Sequence, residues 1–385
     1  MKVLLVGNYP ADGQKSMQAY AQMLLGGLRA AGVEVELTAP RPVLLRLLRA
    51  NASVSGLAKW IGYIDKFVIF PLSLARAARR FDRTHVCDHS NGLYLFGLPR
   101  ERSSITCHDV IAIQAARGLV DGWHTGFTGK VLQALNFHGM ARARRIVCVS
   151  DLTRMHLLDL REDLAQRTSV VRNALHSAFH PDPDWRAVLD ANGYGALGTR
   201  PYFLHVGSGH PRKNRVAVTR IFAHLQRMPR FAAAQLVFVG PPPDAAMREV
   251  IATGGFAARV HTVEDASHSL LVALYSGAQA MIFPSLNEGF GWPVIEAQAC
   301  GCPVFASGID PLPEVGGAAA VYFDPADSAR AAELVARANF ERMTLAGLDN
   351  ASRFSIDEMT RKLIATVGLD AKPVVTHEES IGTHA

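Results

Sequence analysis

Met281-Ile-Phe-Pro-Ser-Leu-Asn-Glu-Gly-Phe-Gly-Trp-Pro-Val-Ile-Glu296 is the stretch that decides the fold. It opens with an apolar run, Met281-Ile-Phe283, that reads as a buried strand. Gly289 and Gly291 then permit a sharp turn and a close backbone approach to a ligand. Pro293 suits the first turn of a helix, where its missing N–H is harmless. Glu288 is therefore expected at the carboxyl end of a strand, and Glu296 about one turn into a helix. The N–H groups of Gly289, Phe290, Gly291 and Val294 are expected to open onto a helix N-terminus, which suits a pyrophosphate. Glu296 is placed to accept from paired ribose hydroxyls, and Glu288 from hydroxyls of a sugar beyond the second phosphate.

The same strand-to-helix grammar runs along the whole chain of 385 residues. In the first half, Lys2–Gly7, Val33–Leu37, His85–Cys87, Ser104–Cys107 and Arg145–Val149 read as strands, with a helix over Ser16–Ala31. The pattern restarts with Tyr202–Val206, Gln235–Val239, Arg259-Val260, Ala280–Phe283 and Pro303–Ala306. Helices are expected over Arg215–Arg227, Ser269–Gly277, Pro293–Ala299 and Ile356–Val367. Alternating strands and helices predict an α/β chain with parallel sheets covered on both faces. The restart predicts two Rossmann-like units joined near Asn173–Arg200, a stretch rich in Pro, Asp, Gly and His. The length suits two domains.

The stretch Glu288-Gly-Phe-Gly-x-Pro-x-x-Glu296, two glutamates with seven residues between them, resembles the signature of retaining glycosyltransferases of family 4. Its flanks resemble that family too: Leu274-Tyr-Ser-Gly-Ala278, Ala297-Gln-Ala-Cys-Gly-Cys-Pro-Val304 and Leu312-Pro-Glu-Val-Gly316. The resemblance is close over residues 200–330 and looser in the N-terminal half. It implies the GT-B fold, with two facing Rossmann-like domains and the active site in the interdomain cleft. The division it implies is an acceptor-binding domain over 1–175, a nucleotide-sugar-binding domain over 176–355 and a helix over 356–370 returning to the first domain. A polar tail, expected to be disordered, fills 371–385.

The resemblance also assigns roles. Basic residues after the first strand of the second domain stabilise the departing diphosphate. Here Arg212 and Lys213, in Gly207-Ser-Gly-His-Pro-Arg-Lys-Asn214, occupy that place. Where relatives often carry Arg after the first Gly, this chain has Ser208. Thr106-Cys-His108-Asp109 resembles the His-Asp pair beside the transferred sugar, with Asp109 capping the next loop or orienting His108. His108 also lies at a strand's carboxyl end, where open α/β sheets bind ligands. The catalytic set so implied is His108, Glu288 and Lys213.

Other features are read from the residues themselves. His85-Val-Cys-Asp88-His89-Ser-Asn91 ends a strand, and His89 and Asn91 are candidates for acceptor recognition. In Gly7-Asn-Tyr-Pro-Ala-Asp-Gly-Gln-Lys-Ser16, where relatives often carry a denser glycine run for the donor phosphate or acceptor, Gly13 is the glycine before the helix and the candidate for that role, and Ser16 is a possible N-cap. No Gly-x-Gly-x-x-Gly dinucleotide fingerprint is present there, which disfavours a dehydrogenase. Asp182-Pro-Asp184 has the spacing of a metal-binding Asp-x-Asp but falls in the interdomain connection and reads as loop. No cofactor and no metal are expected. The five cysteines, Cys87, Cys107, Cys148, Cys300 and Cys302, are odd in number and irregularly spaced, as expected of buried thiols in a reducing compartment.

Hydrophobic residues make up 49% and charged residues 19%, which excludes general disorder. The net charge is +6. Nine basic residues lie between positions 41 and 83 (Arg41, Arg46, Arg49, Lys59, Lys66, Arg76, Arg79, Arg80, Arg83) against Asp65 and Asp82, so this span holds the whole basic excess. It is interleaved with Leu44, Leu45, Leu47, Leu48, Trp60, Ile61, Phe67 and Phe70. Basic residues among apolar ones suit an anionic membrane surface, or else the wet face of ordinary amphipathic helices. No nucleic-acid-binding module, secretory signal or spanning apolar segment is seen. A cytoplasmic protein, peripheral on the inner face of the membrane, is the expectation.

The function implied is hexosyl transfer from a UDP- or GDP-sugar to a hydroxyl of a saccharide or lipid-linked acceptor, in cell-surface polysaccharide or glycolipid synthesis. A GT-B-fold phosphorylase or epimerase and a silent sugar-nucleotide-binding subunit remain as alternatives.

Overall fold

The computed structural model describes residues 1–44, 57–120 and 122–369. The expected tail beyond Asp370 lies outside the described residues, as do Leu45, Arg46, Leu47, Leu48 and Arg49 and the side chains of Lys59 and Trp60. The described residues form two units: one takes them from 1–149, 153–172 and 356–369, the other from 150–152 and 173–355.

In the first unit six parallel strands run in the order β2-β1-β3-β4-β5-β6. They are β1 (Lys2–Val6), β2 (Glu34–Thr38), β3 (Arg83–Val86), β4 (Ser103–Cys107), β5 (Arg145–Cys148) and β6 (Thr168–Val170). The apolar run Val3-Leu-Leu-Val6 is fully covered because helices lie on both faces of the sheet. The core on one face joins Leu4 and Val6 to Phe70, Leu74, Tyr94, Ile105, Phe137, Met140 and Ile146. Strand order reverses at β1/β3, the topological switch point at which such sheets bind ligands.

The short helix His89–Gly97 and the helix Phe127–Met140 meet backbone to backbone. A Cβ on Gly92 would stand 2.2 Å from the Asn136 carbonyl, and one on Gly139 2.2 Å from the Gly92 carbonyl. Only glycines allow that approach. The helix Ile356–Val367 packs on the helix Lys15–Ala30 and on β5, burying Met359, Thr360, Leu363 and Val367.

In the second unit the order is β12-β11-β10-β7-β8-β9, again all parallel. The strands are β7 (Tyr202–Val206), β8 (Gln235–Val239), β9 (Val260–Val263), β10 (Ala280–Phe283), β11 (Val304–Ser307) and β12 (Val321–Phe323). Here the order reverses at β7/β10. Phe203, Phe222, Phe238, Ile282 and Phe305 fill the core on one face. The expectation of two Rossmann-like α/β units is met.

Two local expectations are corrected, and two edge strands are added. Ser16 is not an N-cap: it is the second residue of the helix Lys15–Ala30, whose cap position is Gln14. The strands β6 and β12 were not read from sequence. The basic span is also less uniform than its composition. Lys66 is buried and pairs with Asp12 at 2.6 Å, and Phe70 and Ile61 are buried in the protein. Exposed on the helical stretch 57–78 are Ile64, Val68 and Leu72, four residues apart, followed by Arg76, Arg79 and Arg80. No helix among the described residues is long and apolar enough to cross a membrane.

All five cysteines are reduced and buried. Asp182 and Asp184 lie in a loop, where the Asp182 carboxylate accepts from the Asp184 N–H at 2.9 Å.

Candidate functional site

Two polar clusters lie beyond the carboxyl ends of the strands at the two switch points. The first belongs to the second unit. The loop after β7 forms a short turn of helix, Pro211–Lys213, and Asn214 closes it in the left-handed conformation. This turn aims Arg212 and Lys213 at the loop after β10. Lys213 Nζ donates to Glu288 Oε1 at 2.6 Å, and Arg212 Nη1 donates to Glu288 Oε2 at 2.7 Å and to the Asn287 carbonyl at 3.0 Å. One carboxylate thus bridges two cations.

The electrostatics follow from burial. Burial pushes the Glu288 carboxyl up, but the Lys213 and Arg212 charges outweigh it and hold it below the usual carboxylate range. Burial lowers Lys213, and Glu288 offsets only part of that. The Lys213 ammonium also sits 4.9 Å from the centre of the Phe283 ring. Ser208 is exposed.

Gly291 precedes the helix Trp292–Ala299 with φ of 101°, a conformation that favours glycine, and a Cβ there would meet Leu312 Cδ2 at 2.6 Å. Pro293 sits in the first helical turn. The phosphate-cradle expectation narrows at its C-terminal end. The Val294 N–H is taken by the Gly291 carbonyl at 3.0 Å, Pro293 has none, and the Val294 side chain is core. Phe290 packs its ring against Trp292 and Phe354.

Glu296 lies one turn into the helix and is buried. Tyr275 OH donates to its Oε2 at 3.0 Å, and His176 Nε2 lies 3.0 Å from its Oε1. Burial and the adjacent carboxylate both push the Tyr275 hydroxyl up, so it stays a donor. Neither His176 nor Tyr275 was singled out from sequence. Tyr275 lies within a quoted flank, but nothing local marks His176, 120 residues from its partner.

The second cluster belongs to the first unit. Asn8 follows β1, Asp88 follows β3 and His108 follows β4. Asp88 accepts from Asn8 Nδ2, from the Ser90 N–H at 2.9 Å and from Ser90 Oγ at 2.7 Å. Burial alone would raise its carboxyl, yet His89, His108 and these donors hold it at about 2. Asn8 Nδ2 also donates to Gln14, and Asn91 Nδ2 donates to Asn8 Oδ1 at 3.2 Å. His89 Nδ1 lies 3.2 Å from Asp88 and accepts from the His108 N–H at 3.3 Å.

His108 Nε2 donates to the Cys87 carbonyl at 2.9 Å, and its ring meets Tyr20 edge-on at 4.5 Å. Burial lowers its pKa, although Asp88 opposes this. Asp109 accepts from the N–H of Ile111, the first residue of the following helix, at 3.0 Å, and its carboxylate lies 3.8 Å from His89 Nε2. His89 and Asn91 therefore join His108 in one network with Asp88. Gly13 adopts φ of 65° and ends the short helix Pro10–Asp12. No group of three or more metal-ligating side chains stands together among the described residues.

Comparisons with known proteins bear on both units. Residues 190–346 match the family described as glycosyl transferases group 1. The O-antigen chain mannosyltransferase B of Escherichia coli is 26% identical over 278 residues, which is 70% of this chain and 71% of that protein. The D-inositol 3-phosphate glycosyltransferase of Mycolicibacterium vanbaalenii is 34% identical over 119 residues, 30% of this chain and only 26% of that one. Among solved structures, sucrose-phosphate synthase from Thermosynechococcus elongatus has a TM-score of 0.70 at 19% identity, covering 94% of this chain and 97% of its own. HepE from Anabaena, in complex with UDP and glucose, has a TM-score of 0.68 at 15% identity, covering 96% and 100%. These likenesses place the chain's fold among GT-B glycosyltransferase structures.

Proposed function

We propose that the protein is a retaining glycosyltransferase that moves a hexosyl group from a UDP- or GDP-sugar to a hydroxyl of a saccharide or lipid-linked acceptor. The observation that carries this reading is the bridge from Glu288 to both Lys213 and Arg212 beyond β7 and β10. Eight positions on, Glu296 stands on the adjoining helix.

In this reading Lys213 and Arg212 bind the diphosphate. A lysine ammonium has three donors and Glu288 takes one, so Lys213 keeps others for phosphate oxygens. The bond from the anomeric carbon to the diphosphate oxygen breaks, and negative charge grows on the leaving group. Fixed cations in a dry site stabilise that growth. They stand in for a divalent cation, and no metal is required. Arg212 supplies the guanidinium that Ser208 does not. The acceptor oxygen bonds to the anomeric carbon on the face that the diphosphate leaves, and its proton passes to the departing phosphate.

Glu288 accepts from hydroxyls of the transferred sugar and aligns the two cations. Gly289, Phe290 and Gly291 lead the backbone past the phosphates, and Glu296 takes the ribose. In the other unit, His108 serves the transferred sugar, while Gly13, His89 and Asn91 serve the acceptor. The mannosyltransferases among the relatives favour roles in cell-surface polysaccharide or glycolipid synthesis. The exposed Ile64, Val68 and Leu72 with Arg76, Arg79 and Arg80 suit a cytoplasmic enzyme held at an anionic membrane surface.

Thermal-shift screening against UDP- and GDP-sugars, followed by NMR of the product's anomeric configuration, tests the reading. Stabilisation by one such donor and a retained configuration are expected. An inverted product, or stabilisation by free phosphate alone, would overturn it.

A further inference from the structure

The Glu296 carboxylate is held from two sides by side chains far apart in sequence. Tyr275 OH reaches Oε2 from the helix His268–Gly277, on whose buried face it lies. His176 Nε2 reaches Oε1 from the segment that follows Asn173. A carboxylate offers about four lone-pair positions, two on each oxygen. One donor on each oxygen leaves one position on each, the number that two vicinal hydroxyls require.

The imidazole is itself fixed. Its ring meets Trp292 edge-on at 5.4 Å and Phe179 edge-on at 5.5 Å. Trp292 in turn donates through Nε1 to the Ala174 carbonyl at 2.9 Å, two residues before His176. His176 Nδ1 lies 3.0 Å from Ser177 Oγ, a hydroxyl that can donate to it. When it does, Nε2 carries the proton and faces Glu296 as a donor.

We infer that His176 is a positioning residue for the nucleotide ribose: with Tyr275 it holds the Glu296 carboxylate so that one acceptor position on each oxygen receives the 2′- and 3′-hydroxyls. This rests on the assignment of Glu296 to the ribose. His176 acts through Glu296 and touches no reacting atom, so its loss weakens donor binding and leaves the chemical step intact. A histidine that merely filled space would be replaced by phenylalanine without effect on ribose recognition.

The test compares the parent, His176→Phe, His176→Gln and Tyr275→Phe. UDP, GDP and their 2′-deoxy forms are titrated alone by calorimetry, and kcat is measured at saturating sugar nucleotide. His176→Phe keeps the ring and loses the donor. It is expected to raise Kd for the bound nucleotide about tenfold, as for a hydrogen bond to a charged group, and to leave kcat within about twofold. It is also expected to erase most of the preference for ribose over deoxyribose. The amide nitrogen of Gln reaches the Nε2 position, so His176→Gln is expected to recover most of the affinity.

Unchanged affinity in both His176 variants would overturn the inference. So would tighter binding by His176→Phe, which would make the imidazole a competitor of the ribose. A parent that binds neither nucleotide would overturn the functional reading beneath it. A parent that discriminates ribose, alongside a His176→Phe that discriminates equally, would remove His176 alone.

Discussion

Lys213 Nζ and Glu288 Oε1 stand 2.6 Å apart, and each side chain is less than a tenth exposed. Removing either partner leaves the other charge buried without its main counter-ion. Such breaks cost about 3–5 kcal/mol, whereas replacing both by apolar groups costs far less. Glu288→Ala is therefore expected to lower both transfer and stability, and Lys213→Met likewise. The double variant Lys213→Met/Glu288→Leu is expected to regain most stability and no activity. Urea unfolding beside a transfer assay measures both; equal stability in all variants would contradict the pairing.

Glu296→Ala is expected to weaken nucleotide binding more than it slows the step from bound donor. With the charged acceptor of both ribose hydroxyls lost, a loss of affinity of about 100-fold or more is expected, read by calorimetry. Equal affinity for the parent and Glu296→Ala would remove the ribose assignment.

Acid should destabilise the fold through two histidines. Burial lowers both His85 and His205 to about 3, so each is neutral in the folded protein at pH 7. In the unfolded chain they titrate at about 6.5. Because the folded value is the lower one, their stabilisation is complete above about pH 6.5 and is lost as pH falls toward 3. Each contributes a slope of about 1.4 kcal/mol per pH unit within that window. His205→Gln is expected to flatten the dependence by about that amount in urea unfolding at pH 4–6; an unchanged slope would count against a buried neutral imidazole.

Gly139→Ala should be costly despite alanine's higher helix propensity. The added methyl would meet the Gly92 carbonyl oxygen at 2.2 Å, a backbone contact with no side chain to yield. A loss of about 2–3 kcal/mol is expected. The displaced segment carries His89 and Asn91, so transfer should fall as well. A melting temperature equal to the parent's would refute this.

Membrane contact has its own test. Flotation with anionic vesicles is expected to fall with salt, and to fall further in an Arg76→Ser/Arg79→Ser/Arg80→Ser variant and in Leu72→Ser. Lys66→Ser should affect stability rather than flotation, because Lys66 is paired with Asp12 inside the protein. Flotation indifferent to all four arginine and leucine changes would contradict the proposal.

The long features were legible. Tyr202–Val206, Gln235–Val239 and Ile356–Val367 have the expected ends, because continuous apolar runs and helical periodicity are local properties. The strands β6 and β12 have three residues each at sheet edges, too few to set a period. Side-chain partners were the least visible. Composition could not reveal that Lys66 meets Asp12, 54 residues away, or that Glu288 holds Arg212 and Lys213 together. The Asn8–Asp88–Asn91 network is likewise assembled by topology from loops after two adjacent strands. The glutamate pair was readable because its meaning lies in one strand, one turn and one helix.

The helix Ile356–Val367 packs against Lys15–Ala30, so the first unit is closed by a helix that follows the whole of the second unit in sequence. On the ribosome, residues 173–355 emerge before that helix does. The second unit can therefore mature first, while its predecessor waits with Gly27 and the helix face around it, which Ile356 and Thr360 cover in the folded protein, still open. A chain cut after Ser355 would retain every proposed donor-binding residue yet strand its N-terminal half as a substrate for chaperones and proteases.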